Sequence, residues 1–219
     1  MGKNEKESYD EATKRIMSHI VVKDGLNPRV VAYCILNFHL IRTRQHVSKV
    51  KAFSKLIADM FKTEDWTSLL KRRMIVHDRD KLEDFHFIGD YAPYIVIKHG
   101  PSWLKDMFEL ETSYPKEWDM VFVVQHVKSS PHHPEYWSPD YDFGENTPPY
   151  NVPDMDNAAL AEMCADWMAT GQEMGNTASE WNKTVGKERY VFTTKQISLI
   201  KQILANEETI VKQSGKLKL

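Results

Sequence analysis

Apolar positions in this chain recur at helical spacing over most of its length. In "SYDEATKRIMSHIVVK" (8–23) acids come early and basic residues late, as a helix dipole favours, with Ser8 as a cap. "DGLNP" breaks that helix, and Pro28 suits the first turn of another. From Val30 to about Phe61 there is no Gly or Pro, and Val47, Val50, Phe53, Leu56, Ile57 and Met60 keep a helical register. The stretch 63–77 predicts a further helix capped by Thr63.

Gly89, Pro93, Gly100 and Pro101 divide the following segment into short helical pieces and loop. Residues 114–130 place Pro115 near a helix start, while the run Val121-Phe122-Val123-Val124 reads equally as a strand. Residues 131–154, with six prolines and one glycine, form the longest irregular segment, of the kind that serves as a lid or binding loop. Good helix formers return over 156–173, after an Asp/Asn cap and ending near Gly171. A last amphipathic helix spans 193–213, with Ile197, Ile200, Ile203 and Leu204 in register, before a mobile tail. The expected fold is all-α, a single helical bundle: a helical extension over 1–30, the main domain over 31–213 and a flexible tail over 214–219.

Composition narrows the function classes. A chain of 219 residues, 42% hydrophobic and 27% charged, is globular rather than disordered. A net charge of −2 gives no electrostatic case for bulk nucleic acid. No apolar run reaches the roughly 18 residues of a membrane span, and "MGKNEKESYDEATKR" lacks the apolar stretch of a secretory signal. Cys34 and Cys164 are too few for a disulfide framework, so the expected setting is a reducing cytoplasm.

Several polar residues interrupt apolar helical sequence. They are His46 in "RTRQHVSKV", His77-Asp78 in "RRMIVHDRDKLEDF", His126 in "VFVVQHVKSS", His132-His133 at the loop start, and Asp166 in "EMCADWMA". Imidazole and carboxylate donors suit first-row divalent metals, and paired cysteines for a structural zinc finger are absent. On a helix Lys81 shares a face with His77 and Asp78, where an ammonium suits phosphate oxygens. Glu162 lies one turn before Asp166. Taken singly each has a plainer reading: His46 as a hydrogen-bonded core histidine, His132-His133 as surface loop, Asp166 as the polar edge of a helix. His39, His86 and His99 are read as structural.

The order of His46, His77-Asp78, Lys81 in "HDRDK", the further histidines and the late Asp166 resembles the HD superfamily of metal-dependent phosphohydrolases. His126 and the His132-His133 pair are similar to the extra ligands of its binuclear branches. Residues 39–172 also resemble an uncharacterised phage and bacterial HD-like group, sharing "HD..K", "HVKSSPHHPEYW" and "EMCADW". In the HD-GYP phosphodiesterases the lone His and the His pair are well separated. Here five residues lie between His126 and His132 and no Gly-Tyr-Pro follows, so a cyclic-di-GMP assignment is not supported.

The resemblance implies an HD-domain-like bundle hydrolysing a small phosphoester, a nucleotide or cyclic nucleotide, through a metal-activated hydroxide. It implies two divalent transition-metal ions (Fe, Mn, Co, Ni or Zn) on His46, His77, Asp78, His126, His132, His133 and Asp166, with Asp78 and Lys81 catalytic. Lys81, Tyr136, Trp137 and Tyr141 are the expected substrate contacts. The location is then the cytoplasm, the host's if the chain is phage-encoded. The alternatives are a di-iron oxygenase resembling the inositol oxygenases, which share the lysine, and a non-catalytic helical binding protein.

Overall fold

A computed structural model describes residues 3–115, 121–139, 141 and 149–215. In chain order the elements are α1 (Lys3–Met17), β1 (Ile20–Val22), α2 (Pro28–Met60), α3 (Thr67–Val76), α4 (Asp80–Glu83), α5 (Phe85–His99), α6 (Ser102–Lys105) and β2 (Phe108–Leu110). They continue as α7 (Val121–Ser129), β3 (Tyr150–Asn151), α8 (Asn157–Met174), α9 (Ala178–Trp181), α10 (Lys187–Arg189), β4 (Tyr190–Val191), α11 (Thr194–Leu204) and α12 (Glu207–Ser214). A 3-10 turn covers Pro134–Trp137. The fold is all-α: among the described residues the strands form two short pairs, β1 antiparallel to β2 and β3 parallel to β4. Among the described residues no helix is long and apolar enough to cross a membrane.

The chain divides into two compact units, Met1–Gln45 with Asp78–Phe122, and His46–His77 with Val123–Leu219. In the first, α1 packs along α5 over an aliphatic core that includes Ile16, Ile35, Leu36, Ile88 and Leu104. Gly89 permits that approach, since a Cβ there would stand 2.8 Å from the Arg15 Cβ and 3.2 Å from the Ala12 carbonyl. Contrary to the expected short pieces, α5 runs unbroken through Pro93. Burial of Phe87, Ile88, Ala92, Ile95 and Val96 outweighs the roughly 3 kcal/mol cost of an interior proline. The helix expected over 8–23 stops at Met17, because β-branched Ile20–Val22 pairs with Phe108–Leu110 instead.

In the second unit α8 is central, buried from Ala158 to Ala165 and packed on α3 and α11. Its start is fixed by Asp156, whose side chain accepts from the Ala159 N–H and is gripped by both Nη atoms of Arg73. Its end is Gly175 rather than Gly171: Gly175 adopts φ 73°, the left-handed cap that glycine takes without a Cβ penalty. The expected helix over 193–213 is two helices. Asn206 turns back to cap the Gln202 carbonyl, and Glu207 accepts from the N–H groups of Ala178 and Ser179 at the start of α9. The ambiguous Val121–Val124 run is helical in α7. Residues 116–120, which follow Pro115, positions 140 and 142–148 of the long loop, and 216–219 of the expected tail lie outside the described residues.

Candidate metal centre

Several polar side chains of the second unit converge on one face of α8. Glu162, Asp166 and Glu173 fall at i, i+4 and i+11, a single helical stripe. Small residues around them (Ala158, Ala161, Ala165, Ala169) are fully buried and let neighbouring elements come close. His46 of α2 reaches this stripe, as does His77, the residue that ends α3.

His46 is held between two carboxylates. Its Nε2 lies 2.8 Å from Asp166 Oδ1 and its Nδ1 3.0 Å from Glu173 Oε1. His77 repeats the arrangement, with Nδ1 3.0 Å from Glu162 Oε1 and Nε2 3.7 Å from Asp166 Oδ1. An ionised carboxylate can only accept. The two glutamates thus orient the rings through Nδ1, and both Nε2 atoms are directed at Asp166. Burial by itself raises the Asp166 carboxyl, but hydrogen bonds and charge from His46 and His77 outweigh it and hold the group well below its ordinary value. Asp166 is thus an anion facing two imidazoles.

The remaining histidines continue from His77. Ring centroids of His77 and His132 lie 4.3 Å apart, those of His132 and His133 4.2 Å, and those of His126 and His133 4.9 Å. His126 stands in the last turn of α7, and the following turn folds back so that His133 Nε2 comes 3.0 Å from His126 Nε2. His132 is buried and presents Nδ1 at 3.7 Å from Glu162 Oε1. Two triads, His46–His77–Asp166 and His77–His132–Glu162, each bring one ligand atom per residue within 4.8 Å of the others. Two donors bound to one ion at about 2.0–2.2 Å stand roughly 3 Å apart, which is the spacing of the closest pairs here.

Asp78 and Lys81 belong to the first unit. Asp78 is buried, has left-handed backbone at φ 52°, and accepts from Lys81 Nζ at 2.9 Å. Left-handed backbone is tolerated by aspartate better than by most residues, and such strain concentrates at functional positions. The pair therefore spans a sharp turn into α4, not one face of a continuous helix as the spacing suggested. His39, read as structural, donates from its ring to the Lys81 carbonyl at 3.1 Å. Burial lowers its pKa to about 4, so it is neutral at pH 7.

Of the loop aromatics, Tyr136 is 44% exposed. Trp137 packs against the hydrophobic core and donates to the Pro131 carbonyl at 2.8 Å. Tyr141 is buried edge-on against Tyr150. Neither Glu162 nor Glu173 is among the site residues expected from the sequence. The signal for both was their shared stripe with Asp166.

A family model described as "Family of unknown function (DUF5662)" matches residues 36–206, a span that contains every side chain of this cluster. No curated protein and no solved structure matches the chain.

Proposed function

Because the chain belongs to the DUF5662 family, which carries no assigned activity, we propose its function from its own side chains: a metal-dependent hydrolase of a small phosphoester, a nucleotide or cyclic nucleotide. One observation carries the metal reading. His46 has a carboxylate oxygen at each ring nitrogen, Glu173 Oε1 at 3.0 Å from Nδ1 and Asp166 Oδ1 at 2.8 Å from Nε2, an arrangement that orients the ring and aims Nε2 at an acid shared with His77. His46, His77 and Asp166 would hold a divalent ion, which would give the half-buried Asp166 carboxylate a stronger partner than an imidazole N–H.

The donor set fits such an ion. Imidazole nitrogen with carboxylate oxygen suits iron, manganese, cobalt, nickel or zinc, and each Nδ1 is already oriented by a carboxylate. When bound, a divalent cation acts as a Lewis acid on a phosphoryl oxygen and acidifies water near neutral pH. His46, His77 and Asp166 hold it in this proposal. His126, His132 and His133 provide the nitrogen atoms for a second ion. The resemblance to HD phosphohydrolases favours phosphoester chemistry and extends the role to Asp78 and Lys81. Within their unit Lys81 fixes the Asp78 carboxylate by a direct hydrogen bond.

The test is metal content by mass spectrometry on untagged protein purified without chelator, beside His77→Ala. About two equivalents, lost in the variant, with phosphate release from nucleotides under anaerobic conditions, is the expected result. Metal binding with turnover that requires dioxygen replaces the hydrolase by the oxygenase reading. A wild-type chain that takes up none of the candidate ions removes the proposal.

A further inference from the structure

His132 and His133 pose a mechanical question, because no α-helix carries them. Between α7 and α8 the described chain has only the 3-10 turn at Pro134–Trp137 and the two-residue β3. A ligand on irregular backbone is useful only if something fixes that backbone. Glu135, in the 3-10 turn directly after the histidines, is 3% exposed, an expensive place for a carboxylate.

Its Oε1 accepts two hydrogen bonds, from Arg189 Nη2 and from the Tyr190 hydroxyl, each at 2.7 Å. Burial and the neighbouring Glu135 charge push the Tyr190 phenol well above its ordinary value, so it keeps its proton and donates. Tyr190 also begins β4, whose partner β3 lies further along the same loop. At the far end the Gln196 amide, 4% exposed, donates to the carbonyls of Val152 and Met155 at 2.9 Å. The loop is thus tied to the segment 189–196 at three places, and the tie nearest the histidines is the buried carboxylate. For stability alone, apolar residues of similar volume would serve as well as a buried ion pair. What a buried carboxylate oxygen that accepts from two donors adds is a fixed position.

We propose that Glu135, Arg189 and Tyr190 are positioning residues that buckle the His132–His133 turn in place and thereby set the metal affinity of that histidine group. The ligand role rests on the reading given under Proposed function, while the buckle itself does not.

Tyr190→Phe removes a single hydroxyl, and Arg189→Met removes the guanidinium but keeps the stem. Two measurements on the full chain decide the matter: amide hydrogen exchange over residues 131–138 in metal-free protein, and manganese and zinc titration by calorimetry. Faster exchange confined to that segment, with affinity for the second equivalent down about tenfold and largely restored in Arg189→Lys, is the expected result. Asp156→Asn, which weakens the start of α8, serves as a control for stability loss and leaves that affinity unchanged. Unchanged exchange in both variants overturns the buckle. Faster exchange with unchanged affinity overturns its link to the metal. If the wild type binds no metal, the functional reading fails, and the exchange result alone then decides whether the buckle exists.

Discussion

Two buried histidines on the same helix, His39 and His46, are built for opposite purposes. His39 is 1% exposed in the aliphatic first unit, with a backbone carbonyl on one nitrogen and, among the described residues, no hydrogen-bond partner on Nδ1. His46 is 7% exposed in the second unit, with a carboxylate at each nitrogen. Burial alone makes a neutral imidazole that serves packing and one hydrogen bond. Burial with flanking carboxylates makes a cation or a metal ligand. The difference lies in the surroundings, not in the helix or the degree of burial.

The comparison is broken most severely at His46 itself. His46→Ala is expected to weaken metal binding by at least about 100-fold, beyond the range for losing an orienting group, in a titration with manganese or zinc. Unchanged affinity would return His46 to the same class as His39.

A second test uses the neutral histidine. The pKa of His39 falls from 6.5 to about 4 on folding, so between these values the unfolded chain binds the extra proton. Stability is therefore complete above about pH 6.5 and declines as pH falls toward 4. The loss through His39 at pH 5 is about 2 kcal/mol. His39→Gln, which keeps an N–H for the Lys81 carbonyl but cannot titrate, should flatten this limb in urea unfolding at pH 7 and pH 5. An acid limb as steep as that of the wild type would assign it to other groups.

The smallest effect tests the carboxylates directly. Glu173→Gln keeps an acceptor for His46 Nδ1 and removes the charge, and metal affinity should fall about tenfold, again read by calorimetry. No change would mean that hydrogen-bond geometry, not charge, distinguishes the two histidines.

Much of this architecture is legible in the linear order of residues. The long uninterrupted α2, the Asp156 cap and the stripe on α8 follow from spacing and propensity, which act within a few residues. The helix at Phe85–His99 was not legible, because its proline is tolerated only through burial against α1. The break between α11 and α12 was equally hidden. It depends on Glu207 capping a helix that begins at Ala178, far away in sequence.

For the site, the sequence by itself determined which donors exist and which lie beside apolar helix positions. His46, His77, His126, His132, His133 and Asp166 are identifiable because imidazole and carboxylate are costly in such places without a partner. Tertiary structure decided the partners. It set Glu173 and Glu162 behind His46 and His77, directed both Nε2 atoms at Asp166, and tied the His132–His133 turn to Arg189 and Tyr190 through Glu135. Those choices rest on contacts between residues distant in the chain, with directions fixed by side-chain packing that no local pattern encodes.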